Sequence, residues 1–254
     1  MKASVHQHLT RLAVDLCGDR LSESMRHYSE IIAKGTVYED KPTLERLLNW
    51  HFYRAPDSTI PRRRYLFIKP TSEHEVRKHI DLIHQYDTDN KERYEQLGRV
   101  LHHIQDMSTP SHVLAIYHDH KVKDHFEAFV ERHRYAVTAE TVTVDFDDEL
   151  IDLETIYHRA AEVTTDYVDE GTVEVRFEET ALTLPLSDFW QNAKIAEDSK
   201  LKGFGTYGKL HTCFAADSTN PHAIEHHNLL AIQNDLCSLA IADTCRALLY
   251  ADSL

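Results

Sequence analysis

One stretch constrains this chain more than any other: Tyr94 to His112, reading Tyr-Glu-Gln-Leu-Gly-Arg-Val-Leu-His-His-Ile-Gln-Asp-Met-Ser-Thr-Pro-Ser-His. Tyr94, Leu97, Val100, Leu101, Ile104 and Met107 recur at three- and four-residue intervals, the period of an amphipathic helix. On that helix His102 and Asp106 stand four apart on one face, nearly opposite the apolar stripe. Pro110 ends the helix and turns His112 back towards the same face. Imidazole and carboxylate so placed are a zinc-type ligand pair. Without a metal the same residues are an exposed His-Asp pair, and the stretch by itself leaves both readings open.

The rest of the chain supplies a helical context. Seven glycines and seven prolines in 254 residues leave long uninterrupted periodic segments, so the fold class is all-α and multi-helical, in a single domain over residues 1–254. A first helix is expected from Ser4 to Cys17, burying Val5, Leu9, Leu12, Ala13 and Leu16 and stopping at Gly18. A second is capped by Ser22, carries Met25, Tyr28, Ile31 and Ile32, and ends at Gly35. Others are expected over Ser72–Tyr86, Asn90–Met107, Asp119–Tyr135 and Leu150–Val168, with a long one opened by Pro221 and apolar nearly all round. Val142–Phe146 and Val173–Phe177 alternate at period two. They are expected to pair as a small β insertion around residues 140–178.

Composition narrows the chemistry. Nineteen histidines far exceed what packing needs, and imidazole is the commonest metal ligand. Forty-two acidic against twenty-eight basic side chains give a formal charge of −14. That charge opposes stable binding of duplex nucleic acid or anionic membrane unless bound cations offset it. Cys17, Cys213, Cys237 and Cys245 have no paired spacing, which argues against a disulfide framework or a zinc ribbon and for a reducing compartment. The first residues lack the apolar core of a signal peptide and no run is long enough to span a bilayer, so a cytoplasmic location is expected. Arg62-Arg63-Arg64 reads as a solvated charge run, and His226-His227 as a helix-surface pair.

In order, the chain presents His8-Leu9, Glu39-Asp40, His51-Phe52-Tyr53, Leu101-His102-x-x-x-Asp106-x-x-x-Pro110-x-His112, His118 and Glu127. This order resembles the superfamily of zinc-dependent bacterial phospholipase C and the fungal single-strand-specific zinc nucleases, over residues from about 4 to 131. The resemblance implies an all-helical bundle holding up to three Zn²⁺ ions and cleaving a phosphodiester, either a phospholipid head group or single-stranded nucleic acid. It implies that Asp106 bridges two metals, with Asp40, His51 and His102 on one and His8 on the other. His112, His118 and Glu127 would hold the third, and Asp40 would double as general base.

The chain departs from that pattern in three places. The phospholipases open on a Trp whose amino and carbonyl groups bind zinc, whereas Met1 here stands seven residues ahead of His8. His6, two residues before His8, should point elsewhere on a helix. The family's late ligands stand four apart, but Lys123 precedes Glu127 by four, so the partner comes from His118-Asp119-His120, with His118 preferred to His120. Glu39 is the alternative to Asp40. Two other functions fit the residues: an HD-type phosphohydrolase built on His118-Asp119, and a non-catalytic helical protein with a residual structural metal site.

Overall fold

The computed structural model describes residues 1–41, 49–55, 60, 69–118, 123–146, 150–177, 180–193, 204–214 and 222–254. The Arg62–Arg64 run, Asp119, His120 and Pro221 lie outside them. The described chain is mostly helical, with small sheets attached. Helices α1 (Ala3–Cys17), α2 (Glu23–His27) and α3 (Ser29–Gly35) follow one another. The second expected helix is thus broken at Tyr28. Then come α4 (Glu73–Gln85), α5 (Lys91–Asp106), the single turn α6 (Pro110–Val113), α7 (His125–His133), α8 (Leu153–Glu170) and α9 (His226–Asp252).

Local chemistry sets the boundaries. Ser22, Asn90, Asp124 and Asp152 each accept a hydrogen bond from a backbone N–H of the helix they precede. Gly18 ends α1 at φ 51°. Leu236, Ile241 and Leu248 of α9 are fully buried, and burial of each contributes about 2 kcal/mol. One hydrophobic cluster takes in residues from Met1 to Ala251. All four cysteines are buried and none forms a disulfide, and no described helix is long and apolar enough to cross a membrane.

The helix pair that sets the site is α3 against α5. A Cβ on Gly35 would meet the Glu95 carbonyl oxygen at 2.6 Å. One on Gly98 would meet the Gly35 Cα at 2.7 Å and the Ile32 carbonyl oxygen closer still. Two glycines therefore let the backbones touch, which brings Thr36, just past α3, against the last turns of α5.

The β structure differs from expectation. Val173–Phe177 is a strand, within β3 (Thr172–Phe177). Its antiparallel partners are β4 (Thr180–Pro185) and β7 (His222–Ile224) rather than Val142–Phe146. Residues 142–146 lie in no ladder: Val142 is buried, and Val144 and Phe146 pack on the same core. Their apolar alternation faces helices instead of a neighbouring strand. Strand β5 (Trp190–Gln191) pairs antiparallel with β6 (Thr206–Tyr207). Strands β1 (Asn49–Phe52) and β2 (Lys69–Thr71) run parallel.

Candidate metal centre

Helix α5 delivers the centre. His102 and Asp106 leave the same face, as their spacing requires, but that face is not open to water: both are buried, as are His103 and Gln105 beside them. Met107 leaves the helix, and Thr109 is extended, as a residue before proline must be. Pro110 then occupies the first position of α6. Ala115 follows α6 with φ 51°, a left-handed conformation that costs a non-glycine residue roughly 1 kcal/mol. It turns the chain into the Ile116–Gly205 bridge and brings His118 round to His112.

Three groups of ligand atoms assemble, each within 4.8 Å of one another: His51, His102, His103 and Asp106; His6, Asp40 and His102; and His112, His118 and Glu127. The two oxygens of Asp106 face different ways. Oδ1 lies 3.3 Å from His6 Nε2. Oδ2 lies 3.1 Å from His102 Nε2, 3.4 Å from His51 Nδ1 and 3.5 Å from His112 Nδ1. Glu127, set in the first turn of α7 by its N–H to Asp124, stands 3.2 Å from His112 Nε2.

Three of the rings are held from outside. His102 Nδ1 donates to the Thr36 carbonyl at 2.8 Å, His112 Nδ1 to the His51 carbonyl at 2.8 Å and His118 Nδ1 to the Ile116 carbonyl at 2.9 Å. A carbonyl only accepts, so these bonds place the hydrogen on Nδ1 and turn Nε2 inward. His6 Nε2, both nitrogens of His103 and Asp106 Oδ2 are buried without a hydrogen-bond partner. Lone pairs facing carboxylate oxygens at little over 3 Å call for a cation or a proton between them.

The electrostatics agree. Burial opposes the charge of Asp106, but His112, the Met1 amine and His102 overcome it and hold the carboxyl well below its usual range. Glu127 is likewise held low, against burial, by the Met1 amine and by His112 and His118. The Met1 nitrogen stands 2.7 Å from Asp106 Oδ1 and 3.0 Å from Glu127 Oε1. Burial works against its charge and the surrounding carboxylates outweigh it, so its pKa is pushed up to about 11. A cleft of about 930 Å³ opens over the group, lined by Lys2, Asp40, His112, His118, Lys123 and Glu127 among others.

Of the expected ligands, Asp40, His51, His102, Asp106, His112, His118 and Glu127 come together. His8 does not. Its Nε2 lies 3.1 Å from the Val137 carbonyl and its ring stands edge-on to Tyr135. His6 takes its place, because α1 buries His6, Thr10, Ala13 and Cys17 on one side, and two residues along a helix turn the side chain by about 200°. Asp40 groups with His6 and His102 rather than with His51. Glu39 stands behind the group, with Oε1 3.1 Å from Arg99 Nη1 and 3.3 Å from His79 Nε2 and Oε2 3.8 Å from His103 Nε2. The sequence pattern set His6 aside as a substitute ligand because it should point away from His8, and it gave no spacing signal for His103. It also missed the α-amino group of Met1.

No protein-family model matches the chain, and no curated protein or solved structure matches it.

Proposed function

We propose that this chain is a zinc-dependent hydrolase of phosphodiesters. The reading rests on one observation above all: four imidazoles, of His6, His102, His112 and His118, are tied by Nδ1 to outer acceptors, and those of His6, His102 and His112 aim Nε2 at Asp106 or Glu127. Up to three ions would be held. One falls to His51, His102, His103 and Asp106, a second to His6, Asp40 and the other oxygen of Asp106, and a third to His112, His118 and Glu127. Zinc bound there supplies a nucleophile from water near neutral pH and neutralises charge on the phosphoryl and leaving oxygens. The order of His, Asp and Glu along the chain, resembling the phospholipase C and nuclease superfamily, supports the same substrate class.

The chain's own groups have definable tasks. Asp40, half-buried in the cleft lining, would take the proton of the attacking water. Lys2 and Lys123 offset the acidic lining for an anionic substrate. The test is the zinc content of protein purified without chelator, together with turnover of bis-p-nitrophenyl phosphate, phosphatidylcholine and single-stranded DNA. At least one zinc per chain and zinc-dependent hydrolysis of one of the three are expected. Less than one equivalent, with no rise in melting temperature on adding zinc, would overturn the reading.

A further inference from the structure

Gln105 precedes Asp106, and its side chain is fully buried where three helices meet. Its amide nitrogen lies 2.9 Å from Thr10 Oγ1 on α1 and 3.1 Å from Thr244 Oγ1 on α9. The Thr244 hydroxyl gives its one proton to the Ala240 carbonyl, at 2.6 Å. Its oxygen is therefore left to accept, and the group it accepts from must be the NH₂ of Gln105, not its carbonyl. That choice orients the whole amide. Oε1 then faces His6 Nδ1 at 2.8 Å, and an acceptor there requires the hydrogen on Nδ1.

A neutral imidazole carries one N–H, so His6 Nε2 is left with its lone pair, 3.3 Å from Asp106 Oδ1. We propose that Gln105, oriented by Thr244 and Thr10, is a positioning residue that selects the Nδ1–H tautomer of His6 and so makes Nε2 the metal-ligating nitrogen. The ligand half of this inference rests on the metal reading above. The tautomer half does not.

The device resembles the outer-shell partners of metal-bound histidines, whose loss lowers metal affinity 10- to 100-fold. It differs in its reach, since one amide joins α1, α5 and α9 at a single histidine. A buried glutamine that merely filled space would affect stability and leave the ring's tautomer alone. Ring-nitrogen NMR of His6 in the metal-free protein separates the two, and zinc titration against a competing chelator follows the consequence.

The wild type should show Nδ1–H. Gln105→Leu should lose that fixed tautomer, as should Thr244→Val, which removes the orienting hydroxyl with little change of shape. Both should bind the His6-dependent zinc about 10- to 100-fold more weakly while keeping the other positions. Gln105→Glu, whose carboxylate still accepts from Nδ1, should recover the tautomer and most of the affinity. An Nε2–H ring in the wild type would overturn the inference. So would an unchanged tautomer in both Gln105→Leu and Thr244→Val, or Gln105→Glu weakened as far as Gln105→Leu. If the wild type binds no zinc, the metal reading fails, and the NMR result still decides the role of Gln105.

Discussion

Two residues of helix separate His6 from His8, and the distinction is open to a direct test. His6→Ala should remove one zinc position and most turnover. His8→Ala should leave zinc content unchanged and cost about 1 kcal/mol, the value of one partly exposed hydrogen bond. Metal analysis beside thermal melting reads both. Asp106→Asn should fail differently from His112→Ala. Each Asp106 oxygen serves a separate set of rings, so removing its charge should empty two positions and abolish hydrolysis, whereas His112→Ala should disturb mainly one. His102, Asp106 and His112 were legible because helical spacing and a proline act locally. His6 was not, because its neighbours Val5 and Leu9 define a stripe whose polar flank reads as solvent-facing. A protonation change outside the centre gives a third test. His211 Nε2 accepts the His125 N–H at 3.0 Å, and burial outweighs the attraction of Asp124 and brings its pKa down to about 4. The unfolded chain thus binds this proton more readily than the fold. The contribution is whole above about pH 6.5 and is lost as pH falls towards 4, a change on the order of 3 kcal/mol. Metal-free protein should melt progressively lower over that window, and His211→Gln should flatten the slope.

Among the elements, the crossing of α3 over α5 controls the site. Gly98→Ala puts a methyl against the Gly35 Cα and the Ile32 carbonyl, and both are backbone atoms that cannot rotate aside. A cost of about 1–3 kcal/mol is expected. Because the Thr36 carbonyl that holds His102 Nδ1 follows directly from α3, zinc affinity should fall together with stability. Denaturant unfolding and zinc titration of this variant check both, and a loss of stability with unchanged zinc affinity would separate the crossing from the site. Most helices were readable from periodicity and caps, with Ser22, Asn90 and Gly18 standing where their side chains or φ predict, but the long helix expected to open at Pro221 opens at His226, after β7. The sheet was not. Val142 to Phe146 alternates without a ladder, and β3 finds its third strand at His222–Ile224, about 45 residues on in sequence. No local rule names a partner so distant.

Across the whole molecule, the ligand atoms come from α1, the turn at Asp40, β1, α5, α6, the segment after it and α7. These pieces span residues 6 to 127. They share one apolar cluster with α8 and α9, which supply no ligand atom to the centre but bury Leu153, Ile156, Leu236, Ile241 and Leu248 in it. Metal bound there would therefore tie the first half of the chain together, while the C-terminal helices are held by apolar packing on α1 and α5. Each occupied position stabilises the fold by about 4 kcal/mol when free zinc is a thousand times its dissociation constant. For a chain of this size that corresponds to roughly 8–16 °C in melting temperature per position. Removing zinc with a chelator should therefore lower the melting temperature by at least this much, and the loss should be uneven. Amides of α1, α6 and residues 51–53 should exchange faster in the metal-free protein, since His112 and His51 join those elements through bonds that metal would stiffen. Amides near Leu236, Ile241 and Leu248 of α9 should keep most of their protection, because that stretch supplies no ligand atom and these side chains are fully buried by apolar packing. Hydrogen exchange with and without zinc decides the matter: equal acceleration in α1 and in the middle of α9 would mean that the metal holds the entire fold rather than its N-terminal half.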